Sequence, residues 1–136
     1  MADVEFTSNA GKIKQLTKDA INRILERWGL QAEGYAVDLV PVDTASLKQS
    51  ISHSVAEREQ EVAIGASNEY AAYVELGTGM YVNGGRQTPW AYVDGKGIGH
   101  FTHGMKAQPY IKPAVADHIQ TYKNIASDEL HNTFKL

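Results

Sequence analysis

The amino-acid sequence predicts an α+β fold, in which a small antiparallel sheet of about four strands packs against a long N-terminal helix and a C-terminal helix. Three observations lead to this prediction. Apolar residues recur at steps of three and four near both ends of the chain, short alternating segments occupy the middle, and glycines and prolines separate these segments. The chain of 136 residues is expected to be one domain, residues 1–136. A compact protein of 14.9 kDa would expose on the order of 7,000 Å².

Residues 8–39 are predicted to form one long helix. Ser8 or Asn9 can cap its first turn, and Pro41 ends it because the residue before a proline disfavours helical dihedral angles. The helix would pack through a single apolar stripe. This stripe consists of Ile13, Leu16, Ala20, Ile21, Ile24, Trp28, Ala32, Tyr35 and Leu39.

The segment PVDTASLKQSI, residues 41–51, predicts a rigid corner after the long helix. Asp43 or Thr44 offers a side-chain oxygen to the amides of a short helix that runs through Leu47 to Ser50. The following segment, ISHSVAEREQEVAIGAS, predicts a hairpin with EREQ as its turn, because apolar and polar residues alternate on both sides. The alternating positions are Ile51, His53 and Val55 on the first strand and Val62, Ile64 and Ala66 on the second.

The segment NEYAAYVELG predicts a second short helix, which Asn68 caps and Gly77 ends. Residues 77–88 contain four glycines and no periodicity, so the sequence predicts a flexible loop there. Three consecutive apolar side chains interrupt the polar character of this loop, and we expect this trio to dock against a protein partner. The trio consists of Met80, Tyr81 and Val82.

A second hairpin is predicted where PWAYV and IGHFTH flank DGKG. A two-residue loop at residues 95–96 places Trp90 opposite Phe101. A loop one residue earlier places Trp90 opposite Gly99. The sequence favours the first register, because an aromatic cross-strand pair contributes up to ~1 kcal/mol and glycine has no side chain to pack.

The final segment, AQPYIKPAVADHIQTYKNIASDELHNTF, predicts a closing helix. Pro109 and Pro113 fix its entry, with Tyr110 between them as an anchor. Trp28 and Ile119 are expected to share one core between the first and last helices. The apolar stripe of the closing helix consists of Val115, Ile119, Tyr122, Ala126, Leu130 and Phe134.

Motifs for nucleotide binding and for nucleophilic catalysis are missing from the sequence. The Gly95-Lys96 pair is followed by glycine rather than by Ser or Thr, no segment fits GxGxxG or GxSxG, and cysteine is absent. We therefore predict no catalytic residues, no cofactor and no metal site. The alternatives are a small metal-dependent hydrolase or nuclease, which would use Glu75, Asp94 and His100, and a host binding module with a flexible recognition loop.

Three separated segments together resemble a known family: PVDTASLKQSI (41–51), SNEYAAYVELGTG (67–79) and KAQPYIKPA (106–114). Their order and spacing are similar to those of the head–tail joining, or tail-completion, proteins of long-tailed bacteriophages, the gene-product-ten-like neck proteins of lambdoid phages. Ala45 stands where that family usually has glycine, and Tyr110 where it usually has phenylalanine. The matching residues are Pro41, Val42, Asp43, Thr44, Leu47, Ser50 and Ile51, then Tyr70, Ala71, Tyr73, Val74, Glu75, Gly77 and Thr78, and finally Gln108, Pro109, Pro113 and Ala114.

The resemblance implies a structural virion protein with no enzymatic activity. It implies a homo-oligomeric ring, a hexamer or a dodecamer, at the head–tail junction, assembled in the host cytoplasm. Its partners would be head-closure or neck proteins on one side and a tail-tube or tail-terminator protein on the other. DNA would pass through the ring without being read, and the formal net charge of −3 is compatible with a channel that repels phosphate. No membrane contact is expected, because no apolar run approaches the ~20 residues of a membrane helix.

Overall fold

The structure, a computed structural model, describes residues 8–41 and 45–135. It confirms the α+β class with long helices near both ends. The strands form two separate two-stranded antiparallel sheets, so the expectation of one small sheet is wrong for the described residues. The elements are α1 (Ala10–Leu39), α2 (Ala45–Ser50), β1 (Ile51–Ala56), β2 (Glu61–Ala66), α3 (Ala71–Leu76), a 3-10 turn (Gly79–Tyr81), β3 (Trp90–Val93), β4 (Gly99–Thr102), α4 (Ile111–Ala116) and α5 (Ile119–Phe134).

Helix α1 begins and ends close to the predicted positions. The Ala10 amide donates to Ser8 Oγ (3.4 Å) at its start, and Val40 leaves the helix with extended dihedral angles just before Pro41. The centre of the predicted stripe is buried, whereas Ile13 and Leu39 at its two ends are exposed. The expected caps of α2, Asp43 and Thr44, lie outside the described residues.

The first hairpin, β1–β2, packs directly on α1. Its register places Ile51, His53 and Val55 opposite Ala66, Ile64 and Val62, which confirms that the alternating positions share one face. Gly29 of α1 lies under this hairpin, and a β-carbon there would overlap the ring of His53. The apolar stripe of α1 does not indicate this role of Gly29, which lets strand β1 approach the helix closely.

His53 joins the first hairpin to α1 through two carboxylates. Its Nδ1 pairs with Glu33 and its Nε2 lies 2.6 Å from Glu26 Oε1. The hydrogen bond with Glu33 is the main cause that raises the pKa of His53. Burial opposes this effect, and the hydrogen bond with Glu26 and the charges of both carboxylates reinforce it. Protonated His53 therefore bridges two carboxylates that lie about two turns apart on the same face of α1.

The second hairpin, β3–β4, has neither of the two registers that the sequence suggested. Trp90 lies opposite Thr102 and Ala91 lies opposite Phe101, so the preferred Trp90–Phe101 pair is wrong. The reason is a three-residue loop: Gly97 adopts φ +80°, and its amide donates to the Asp94 carbonyl (3.0 Å). The Asp94 carboxylate also accepts hydrogen bonds from the amides of Lys96 and Ile98, which fixes this turn.

The predicted closing helix is divided into α4 and α5. His118 lies at the break, and its ring stacks on Tyr35 of α1 with centroids 3.5 Å apart. Helix α5 packs along α1 through buried Ile125, which the predicted stripe omitted. Arg23 and Arg27 of α1 both pair with Glu129 of α5 at 3.1 Å.

Trp28 and Ile119 do not meet in a closed core. The Trp28 indole donates to the Tyr122 carbonyl (2.8 Å) and contacts the Tyr122 ring edge-to-face, but Ile119 is 51% exposed. Both residues line an open apolar groove. The helix break turns Ile119 away from the buried position that an uninterrupted stripe would have given it.

The buried core lies where α1 ends and the short helices meet. It consists of Ala36, Val40, Leu47, Ile51, Val74, Tyr110 and Ala114. The accessible surface of the chain is 9982 Å², well above the roughly 7,000 Å² of a compact protein of this mass.

We expect the bridge at His53 to make stability depend on pH. Because the folded state raises the pKa of His53, its contribution is fully present below the unfolded pKa of about 6.5 and is lost as pH rises through the folded value. Urea unfolding between pH 5.5 and pH 8.5 should show this loss, and His53→Gln should flatten it. A pH dependence in His53→Gln that equals that of the wild type would contradict the assignment.

Candidate functional site

The three sequence segments that resemble a phage family meet in one place. Leu47 and Ile51 come from the first segment, Val74 from the second, and Tyr110 and Ala114 from the third, and all five belong to the same buried core. We take this junction of the three segments as the candidate site, because it holds in place the elements that carry the exposed surfaces of the chain.

A carboxylate on α3 caps the start of α4. Glu75 Oε2 accepts hydrogen bonds from the amides of Tyr110 (2.7 Å) and Ile111 (2.9 Å), and Oε1 accepts one from the amide of Lys112 (2.9 Å). The next residue, Pro113, has no amide hydrogen. Glu75 therefore satisfies every amide donor that the first turn of α4 offers, a role that sequence reasoning missed.

The charge of Glu75 suits this position. Burial acts to raise its pKa, but the three backbone hydrogen bonds and the nearby Lys112 ammonium outweigh burial, so the pKa lies below the ordinary glutamate value. An ionised carboxylate is an acceptor only, which matches three amide donors. It also carries the negative charge that a helix N-terminus favours.

Tyr110 closes the junction from the other side. Its ring is buried in the core, and its hydroxyl group donates to the Ala71 carbonyl of α3 (3.1 Å). The Gln108 amide donates to the Val74 carbonyl (2.8 Å). The ring of Tyr110 thus lies where α3 and α4 meet, whereas Pro109 before it is exposed.

The glycine-rich segment crosses the segment that returns from the second hairpin. The Thr78 amide donates to the Met105 carbonyl (2.8 Å), the Met105 amide donates to Thr78 Oγ1 (2.9 Å), and the Met80 amide donates to the His103 carbonyl (2.9 Å). Gly79 and Gly104 have φ values of +64° and +118°, and a β-carbon at either one would overlap the backbone of the other segment. These glycines permit a close approach of two backbones, and the mobility of residues 77–88 stays a prediction.

An exposed apolar face lies beside this crossing. Tyr70 is 60% exposed and Leu76 is 67% exposed, and Tyr73 on the same short helix lines a recess with Arg86 and Trp90. Met80 and Tyr81 of the predicted docking trio are exposed in the 3-10 turn, whereas Val82 is half-buried. The Lys106 ammonium lies 5.9 Å from the centre of the Tyr81 ring.

The three residues of the alternative enzyme hypothesis do not form a metal site. Glu75 is engaged by the amides of α4, while His100 Nε2 lies 2.7 Å from Asp94 Oδ2 at the tip of the second hairpin. The hydrogen bond with His100 is the main cause that lowers the pKa of Asp94. Within residues 8–41 and 45–135, no group of three or more His, Cys, Asp or Glu side chains could hold a metal ion.

One family matches the chain: residues 4–77 fit the HK97-gp10-like family, described as "Bacteriophage HK97-gp10, putative tail-component". No curated protein and no solved structure matches. The matched residues include the first segment of the junction and most of the second, and they end at the C-cap of α3. Among the described residues, no helix combines the length and the apolar character that crossing a membrane requires.

Replacing the cap of α4 should destabilise the junction. We expect Glu75→Ala to lower the free energy of unfolding by about 1–3 kcal/mol, because three amide donors lose their acceptor, and Glu75→Gln to lower it by less. The lowered pKa means that the Glu75 contribution is present above about pH 4.5 and is lost as pH falls through the folded value. Urea unfolding measures both effects. Exposed Glu69→Ala is the control, and an equal loss in both variants would contradict the capping role.

Replacing a glycine at the backbone crossing by alanine should destabilise the fold far more than the same change at a glycine with no close neighbours. Gly84 and Gly104 both have positive φ, but a β-carbon at Gly84 meets no atom within 4 Å. We expect Gly104→Ala to lower the unfolding free energy by about 1–3 kcal/mol more than Gly84→Ala, because the added methyl group overlaps the Thr78 carbonyl. Thermal or urea unfolding of the two variants gives the difference. Similar losses would mean that the two segments do not cross closely in solution.

Proposed function

The chain belongs to the HK97-gp10-like family of bacteriophage tail components, and from this premise we propose that it completes the tail at the head–tail junction. Membership in the family makes the chain a structural protein of the virion, whose contacts are with other phage structural proteins. The finer proposal is a neck protein, formed by one domain over residues 1–136, that joins a filled head to a tail.

The observation that carries this proposal is the amount of apolar surface that the fold leaves exposed. Large side chains on α3, on the 3-10 turn and on the second hairpin face solvent, although the chain has a well-buried core. Such surfaces are typical of proteins that function in assemblies. A homo-oligomeric ring, hexameric or dodecameric, would cover much of this surface and would leave a central passage.

We assign the docking role to the face beside the backbone crossing. Tyr70 at the N-cap of α3, with Tyr73 and Leu76 within it, lies close in sequence to Met80 and Tyr81. A head-closure protein or a tail-tube or tail-terminator protein would therefore contact one short stretch of chain. The architectural residues hold this stretch in place: Glu75 and Thr78 bind the returning segment, and Gly77 ends α3. Residues 77–88 are proposed to gain order on docking.

DNA would pass the ring without sequence readout. The formal net charge of −3 is not the strongly basic balance that is typical of DNA-binding domains. A lumen with the same sign of charge as phosphate would repel it. The proposed role therefore requires contacts with proteins rather than with bases.

The proposal is tested by head–tail joining in the phage that encodes the chain. Deletion of the gene should yield filled heads and separate tails in electron micrographs, and the wild-type chain should restore joined particles. Replacement of Met80, Tyr81 and Val82 by serine should lower the yield of joined particles at least about tenfold, since a docking loop loses its apolar anchors. Asn83→Ser, an exposed polar change in the same loop, is the control. Normal joining after the gene is deleted would refute the proposal.

A further inference from the structure

The β3–β4 hairpin carries an unpartnered apolar face. Cross-strand partners lie on the same side of a sheet, so Ala91, Val93 and Phe101 share one face. Phe101 is 84% exposed and Val93 is 69% exposed. Beyond its own two strands, the hairpin makes at most marginal contact with any other element. We call this surface, formed by these three residues, the hairpin face.

An apolar groove lies on a different part of the same chain. It is bounded by α1, by strand β2 and by the break between α4 and α5, and its volume is about 290 Å³. A dry cavity of about 150 Å³ holds a benzene ring, so this groove has room for a phenyl ring together with an aliphatic side chain. Its apolar lining consists of Trp28, Ala32, Val62, Ile64, Val115 and Ile119.

The charges on the turn of the first hairpin and at the tip of the second hairpin are opposite. The turn residues Glu57 and Glu59, one arginine between them, and Glu61 at the start of β2 are all exposed. One cation, Lys123, also lines the groove. The loop at the tip of the hairpin carries exposed Lys96. The carboxylate of Asp94 in that loop is already engaged by His100 and by two amides. The tip therefore presents a positive charge to an acidic rim.

We propose that the hairpin face of one copy fits into the groove of a second copy, with Lys96 beside the acidic turn. When the second copy places its own hairpin in the groove of a third copy, the contact is heterologous, and its repetition closes a ring if the rotation between copies divides a full turn. The hairpin face offers two strongly exposed apolar side chains, Phe101 at 84% and Val93 at 69% exposure, to a groove that has room for them. The inference rests on the ring proposed above and names the surfaces that build it.

The inference is tested by cross-linking in assembled particles. The chain contains no cysteine, so Phe101→Cys combined with Ile119→Cys places one thiol on each surface and nowhere else. Purified virions treated with a bis-maleimide should give a ladder of multimers of this chain on a denaturing gel. Phe101→Cys with Lys14→Cys, at an exposed position near the start of α1, should give no ladder. Joined, infectious particles before treatment show that the variants fold and assemble.

The other outcomes overturn the inference. Joined particles that contain the chain but give no ladder would refute the hairpin–groove contact and leave the proposed function intact. A cross-link to a different virion protein would show that this protein occupies the groove, and a dimer from Phe101→Cys alone would show that hairpins pair with each other. A failure of the proposed function would be recognised separately, because heads and tails would then join normally without the gene.

Charge exchange gives a second, independent test. Lys96→Glu should lower the yield of joined particles at least about tenfold, because it sets like charges against each other at the rim. Glu59→Lys with Glu61→Lys should have a similar effect. All three changes together should restore joining to within about threefold of the wild type. Failure of the combined variant, when it unfolds at the same temperature as the wild type, would contradict the proposed pairing of the two rims.

Discussion

The arrangement of this fold depends on one carboxylate. Glu75 projects from α3 and accepts three amide hydrogen bonds at the start of α4, and the intervening residues are thereby closed into a long loop. Without that acceptor, three amides at a partly buried helix end would have no partner within the turn. Pro113 at the fourth position removes the remaining donor, so the carboxylate and the proline together complete the end of the helix.

The closure at Glu75 explains how an apolar hairpin can stand away from the core and still have a defined position. Below the hairpin, two backbone segments cross at Thr78–Met105 and at Met80–His103, and Gly79 and Gly104 let them touch. The Gln108 amide adds a further link to α3. These contacts connect the base of the hairpin to the junction of Glu75 and Tyr110. These links orient the hairpin face relative to α3 and α4 in the structure, and the proposed ring contact would use that orientation.

Local patterns in the sequence predicted those features of the fold that depend on residues close together in the chain. The extent of α1, the register of β1–β2 and the C-cap at Gly77 follow from periodicity and from glycine and proline chemistry. The partner of Glu75 lies 35 residues away, so no local pattern indicates the cap. The role of Gly29 could not be predicted from a local pattern either, because it depends on His53 of a distant strand. The predicted register of β3–β4 was wrong for a different reason, which is local. Asp94 accepts hydrogen bonds from two amides and Gly97 adopts a positive φ, and together they stabilise a three-residue loop. Cross-strand pairing had favoured a two-residue loop.

The His53 bridge and the groove belong to the same structural unit. Val62 and Ile64 of β2 form one wall of the groove, and Ile64 lies directly opposite His53 in the ladder. The strand that carries His53 is fixed to α1 by Glu26 and Glu33, and the opposite wall includes Trp28 and Ala32 of that same helix. The position of the β2 wall relative to α1 therefore depends in part on the pairing of His53 with these two carboxylates. Because burial of apolar surface is favourable, a groove with an apolar lining would close further if the hairpin could shift on the helix. The polar bridge beneath the hairpin opposes such a shift.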